Sequence, residues 1–124
     1  MGADLAYIGS PFIATEEANA PGDYKQGIVD GRADDIVYSS LFTGVHGNYL
    51  RQSIERAGLD PANLPDGDIK TMDFGTGDGS KAKAWRDIWG SGQGIGAIDR
   101  VRPAGELVDI LAAQYAEAKA RVCG

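Results

Sequence analysis

Apolar positions follow two rhythms along this chain: one continuous run near the N-terminus, and helical stripes further on. Leu5, Ala6, Tyr7 and Ile8 form an unbroken apolar run closed by Gly9 and Ser10. Such a run predicts a parallel strand buried on both faces. A helix is expected over about 15–20, capped by Thr15, with Glu16 and Glu17 in the first turn where the dipole favours anions. Pro21 and Gly22 are expected to end it. A short helical turn around 24–29 precedes Asp34 and Asp35, and Ile36, Val37 and Tyr38 then read as a second strand. From about Gly47 the spacing Leu50, Ile54, Ala57 predicts a helix, with Gly58 as its C-terminal cap.

The 60–80 stretch is rich in Gly, Pro and Asp and is expected to be a long surface excursion. A helix containing Ala84, Trp85 and Ile88 should follow and close at Gly90. The SGQGIG segment reads as a loop leading to Pro103, a residue suited to the first position of a helix. Leu107, Leu111, Tyr115 and Ala118 then form one stripe, with Val108 and Ala112 beside it, and predict a packed C-terminal helix. The class is α/β. A βα unit opening at residue 3 has no neighbour before it, so the chain reads as the tail of a larger fold.

Composition narrows the possibilities. The 43% hydrophobic and 24% charged content is that of a folded protein rather than a disordered one. Net charge is −6, and the 12 basic residues are scattered, so no surface is expected to neutralise a run of phosphates and nucleic acid is not an expected partner. The N-terminus lacks a basic flank and a long apolar core, and Asp4 interrupts it, which argues against a signal peptide or membrane span. Ala6 breaks the myristoylation pattern after Gly2. The single Cys123 has no partner for an internal disulfide, and a reducing cytoplasm is the expected compartment. A complete parallel barrel needs about 250 residues, so 124 cannot make one.

Three segments in order carry a family pattern: GADLAYIGSPFIATEEA, DIVYSSLFTGVHGNYLRQSIERAGLD and KAWRDIWGSGQGIG. Together they resemble the C-terminal part of the nitronate monooxygenases, also called 2-nitropropane dioxygenases, which are FMN-dependent eight-stranded barrels. The resemblance runs over nearly the whole chain. It implies a C-terminal fragment of a TIM-barrel FMN enzyme: residues 1–30 as the last βα unit, 31–80 as a helical and loop excursion, and 81–124 as a loop and helix returning to the barrel. It also implies a flavoprotein that oxidises alkyl nitronates with oxygen to a carbonyl compound and nitrite. The family's catalytic histidine lies upstream of the last barrel strand, so no catalytic residue is expected here and the chain alone should be inactive.

The candidate site residues follow from the same resemblance. Gly9 and Ser10 match the family's last-strand Gly-Ser/Thr pair, which holds the FMN phosphate. Such a turn bares backbone N–H groups and a hydroxyl to an anion, although the same residues also suit a plain strand-ending turn. By resemblance Ser91, Gly92 and Gln93 lie near the flavin at the mouth of the active site, where Gln93 is able both to donate and to accept; a plain connecting loop is the alternative. Gly92, Gly94 and Ala97 also satisfy G-x-G-x-x-A, but no βαβ pattern surrounds them.

Rival chemistry is thinner. Asp73 opens DFGTGDG, which resembles the first motif of S-adenosylmethionine-dependent methyltransferases, yet only 45 residues follow, too few for the further units of a doubly wound sheet. His46 is the sole histidine and has no second imidazole or spaced cysteines with which to hold zinc. Asp34 and Asp35 read as a solvated turn rather than a cation site. Tyr7, Tyr38, Trp85 and Trp89 read as packing residues. A non-enzymatic remnant or interaction module, self-associating through exposed strand edges, is the competing class.

Overall fold

The computed structural model describes residues 4–67 and 86–123. Its order is helix α1 (Ser10–Ile13), helix α2 (Gly22–Asp30), a 3-10 turn (Ala33–Asp35), strands β1 (Ile36–Ser39) and β2 (Gly47–Leu50), helix α3 (Arg51–Arg56), a second 3-10 turn (Gln93–Ala97), and helix α4 (Ala104–Cys123). The DFGTGDG motif and most of the expected helix around Ala84 and Trp85 lie outside the described residues.

The N-terminal run departs from expectation. Leu5 to Ile8 pair with no strand among the described residues, and Leu5 and Tyr7 are 91% and 104% exposed. An apolar run makes a buried strand only where neighbouring strands supply partners for its backbone, and among the described residues none does. The described sheet is instead an antiparallel pair, β1 against β2, with Ile36 opposite Leu50 and Ser39 opposite Gly47.

The expected helix over 15–20 is also absent. Thr15 turns its hydroxyl back to the Phe12 carbonyl at 2.8 Å, closing α1 rather than opening a new helix. Thr15 itself forms a parallel bridge with Arg102, and Ala14 is buried. Long-range pairing outweighs local capping preference. Pro21, expected as a stop, begins α2: its carbonyl accepts the N–H groups of Tyr24 and Lys25 at 3.0 and 3.2 Å. Proline cannot extend a preceding helix, but its carbonyl is free to start the next.

The helix expected from Gly47 starts only at Arg51, because Gly47–Leu50 is claimed by β1. Its end is as expected: Gly58 takes φ +78°, the left-handed conformation that glycine adopts without steric cost. The core forms where these elements meet. Ala14, Ile28, Leu50, Trp89 and Ile95 pack together, with Ile13, Tyr24, Val29, Ile36 and Ile98 around them. Ile28, Leu50, Ile54 and Ile95 are fully buried, and each such side chain contributes about 1.5–3 kcal/mol.

Helix α4 forms at its expected place but packs only by its start. Leu107 is buried, whereas Val108, Tyr115 and Val122 are 52%, 71% and 85% exposed. Its N-terminus is held from afar: Glu17 accepts the Ala104 N–H at 2.8 Å. A carboxylate there complements the helix dipole, so Glu17 performs for α4 the role expected of it in its own segment. Among the described residues no helix is long and apolar enough to cross a membrane.

Candidate functional site

The residues 89–92 are fastened on two sides. On one side they extend the free edge of β2: Gly90 bridges Tyr49, the Leu50 N–H donates to the Trp89 carbonyl at 2.8 Å, and the Ser91 N–H donates to the Asn48 carbonyl at 3.1 Å. On the other side the Gly92 N–H donates to the Ser10 hydroxyl at 2.9 Å. Ser53 adds a buried clamp, its hydroxyl accepting the Trp89 N–H at 3.0 Å while donating to the Leu50 carbonyl at 2.7 Å.

Four of the five sequence-predicted residues thereby come together. Gly9 is the residue before α1, Ser10 opens α1, and Ser91 and Gly92 stand beside them through the Ser10 bond. A Cβ built at Gly92 would reach the Ser10 oxygen at 3.6 Å, an ordinary contact. A Cβ built at Gly9 would meet nothing within 4 Å, so the turn is open to approach. Gln93 follows directly but is exposed. Ser91 is 7% exposed, and its buried hydroxyl lacks a hydrogen-bond partner among the described residues. An unpaired buried hydroxyl costs about 1–3 kcal/mol, which a bound acceptor or donor would recover.

The expected SGQGIG loop is more ordered than its glycines suggest. Gln93–Ala97 forms a 3-10 turn whose Ile95 is fully buried in the core. It is not a dinucleotide fingerprint, since no βαβ unit surrounds it among the described residues.

Sequence reasoning missed an aromatic cluster. Tyr24 and Trp89 stack at 4.9 Å with 10° between their planes, and the Arg56 guanidinium lies 4.9 Å from the Trp89 ring centre. The Tyr24 hydroxyl donates to the Gly90 carbonyl, and burial pushes its pKa up. No pattern links positions 24 and 89 in the sequence. His46 stacks on Tyr38 at 4.7 Å and is exposed. Asp35 accepts the Arg32 N–H at 2.9 Å and lies 3.9 Å from Arg51, and no group of three or more His, Cys, Asp or Glu able to hold a metal occurs among the described residues.

No family model and no curated protein matches the sequence. Among solved structures the chain is similar to a mutant of FabK from Thermotoga maritima, at 19% identity and a TM-score of 0.60, over 94% of this chain and 35% of that one. FabK is a TIM-barrel enzyme. The chain therefore spans about a third of that protein's length, and at this identity the likeness is one of fold.

Proposed function

We propose that this chain supplies the phosphate-binding turn and part of the active-site rim of a nitronate monooxygenase-like FMN flavoprotein. The observation that carries the reading is the Ser10–Gly92 hydrogen bond. It joins the two segments that the family resemblance assigns to the flavin, from residues 82 positions apart in the sequence. The fold likeness to a TIM-barrel protein supports it from outside the sequence.

The residues present fit a flavin phosphate. Ser10 accepts from Gly92 and so keeps its own proton to donate. Gly9 leaves the approach open, and the unpaired Ser91 hydroxyl offers a further polar contact. When bound, FMN would supply the oxidation chemistry; Gly9, Ser10, Ser91 and Gly92 would hold and orient it, and Gln93 would meet it from the exposed rim. In the assembled enzyme the substrates would be an alkyl nitronate and oxygen, with the histidine base coming from outside this chain.

A phosphate-directed site makes a test that the chain can take as it stands. Titration followed by flavin fluorescence should show FMN binding weakly, with a dissociation constant above about 1 μM, because most contacts come from other strands. Riboflavin, which lacks the phosphate, should bind about fivefold less tightly, a difference of about 1 kcal/mol. Ser10→Ala should erase that difference. Equal affinity for the two flavins would overturn the reading.

A second reading has one observation in its favour. The exposed Leu5 and Tyr7 suit an interaction module that pairs with another chain through its N-terminal run.

A further inference from the structure

A cleft of about 380 Å³ opens between two aromatic walls that none of the candidate flavin residues touches. Tyr24 and the stacked Trp89 form one wall, and Phe42 and Tyr49, edge to face at 4.9 Å and 69°, form the other. Asn19, Ala20, Pro21, Thr43, Ile88 and Gly90 also line it.

The hydrogen-bond donors of one wall are already spent. The Tyr24 hydroxyl donates to the Gly90 carbonyl and the Trp89 indole N–H to the Arg86 carbonyl at 3.3 Å. Tyr24 and the Arg56 guanidinium already lie against the Trp89 ring, so what that wall offers a ligand is ring edge and the Tyr24 face not stacked on Trp89, which favour flat aromatic partners in offset or edge contacts. Charge is balanced locally as well. Among the described lining residues the one cation is Arg86, which is held by both oxygens of Asp87, at 3.0 and 3.3 Å. That pairing offsets the positive charge at the lining, which favours an uncharged ligand over an anion. The volume lies at the small end of ligand pockets, about 300–1,000 Å³, and suits one or two rings. The Asn19 amide on the lining is able to meet one polar substituent.

We propose that this cleft binds a small, uncharged aromatic molecule bearing a single hydrogen-bonding group. The assignment is independent of the flavin reading, because the two sites share no residue.

Isothermal titration and saturation-transfer NMR on the full chain, with p-cresol as the probe, test it. The expected result is saturable binding with a dissociation constant near or below about 1 mM. 4-Methylcyclohexanol, of the same size but without a ring face, should bind about fivefold more weakly. Phe42→Leu should weaken p-cresol by about fivefold, while Tyr115→Leu on the exposed face of α4 leaves it unchanged. Should Phe42→Leu fail to fold, Overhauser contacts from the p-cresol methyl to the ring protons of Phe42 and Tyr49 in the unaltered chain decide instead. Absence of saturation, equal binding of the two probes, or contacts only elsewhere would overturn the assignment. Tighter binding of p-toluate than of p-cresol would overturn the neutral-ligand specificity.

Discussion

The Ser10 hydroxyl accepts the Gly92 N–H at 2.9 Å, so the turn after the N-terminal run and the glycine-rich segment near the C-terminus are one structural unit. Removing the hydroxyl leaves a partly buried N–H without its partner. Ser10→Ala should therefore cost about 1 kcal/mol in a urea melt, in addition to its effect on flavin selectivity. Ser10→Thr, which keeps the oxygen, should cost less than Ser10→Ala; equal losses would show that the bond does not hold the two segments together.

Ser53 carries a heavier burden. It is 1% exposed, and one oxygen joins the Leu50 carbonyl to the Trp89 N–H. Ser53→Ala strands both groups in the core, and a loss of about 1–3 kcal/mol is expected from chemical denaturation. A change under about 0.5 kcal/mol, the range of surface substitutions, would mean that water or backbone shifts replace the serine.

Glycine substitutions should divide sharply by surroundings. At Gly67 a Cβ would lie 2.2 Å from the Ser40 carbonyl oxygen, a backbone atom with little freedom to move. Gly67→Ala should cost about 1–3 kcal/mol through overpacking. At Gly94 nothing stands within 4 Å, and Gly94→Ala should stay within about 0.5 kcal/mol. Thermal melts of the two variants side by side give the comparison.

Alkaline stability should report on Tyr24. Burial raises its pKa from 10.0, so the folded state holds the phenolic proton more tightly than the unfolded one. The sign follows: below pH 10 this preference is fully present, and it is lost as pH rises through the folded pKa. The midpoint of unfolding should fall above about pH 10, and Tyr24→Phe should remove that part of the fall while weakening the fold at neutral pH by about 1 kcal/mol through the lost bond to Gly90. An identical alkaline profile in the variant would assign the effect to another group.

The limits of sequence legibility are physical. Ile36, Val37 and Tyr38 read correctly as a strand, Gly58 as a cap and Pro103 as the threshold of a helix, because each signal is local. Thr15, Glu17 and Gly47 read wrongly because their partners, Arg102, Ala104 and Ser39, come from elsewhere in the chain. Pairing over such distances overrides a capping preference worth about 1 kcal/mol. At the candidate site, the resemblance points to Gly9, Ser10, Ser91, Gly92 and Gln93, and the fold joins their two segments through the Ser10–Gly92 bond. Trp89 was read only as packing; its stack with Tyr24 is tertiary and leaves no periodic trace.

The exposed apolar residues set the last expectation. Leu5 and Tyr7 at the N-terminal run, and Val108, Tyr115 and Val122 on α4, stand in water, where each would gain about 1.5–3 kcal/mol on full burial. Opposing this is a net charge of −6, which makes like copies repel. Salt screens that repulsion and leaves hydrophobic association intact or stronger. The chain should thus self-associate more as sodium chloride rises, seen by light scattering at about 10–100 μM, the range in which exposed apolar surface drives association. Leu5→Lys with Tyr7→Lys should suppress the effect if the N-terminal run is the contact, and Val108→Lys with Tyr115→Lys if α4 is. A species that remains monomeric at every salt concentration would show that neither surface is adhesive, and would remove the ground for the interaction-module reading.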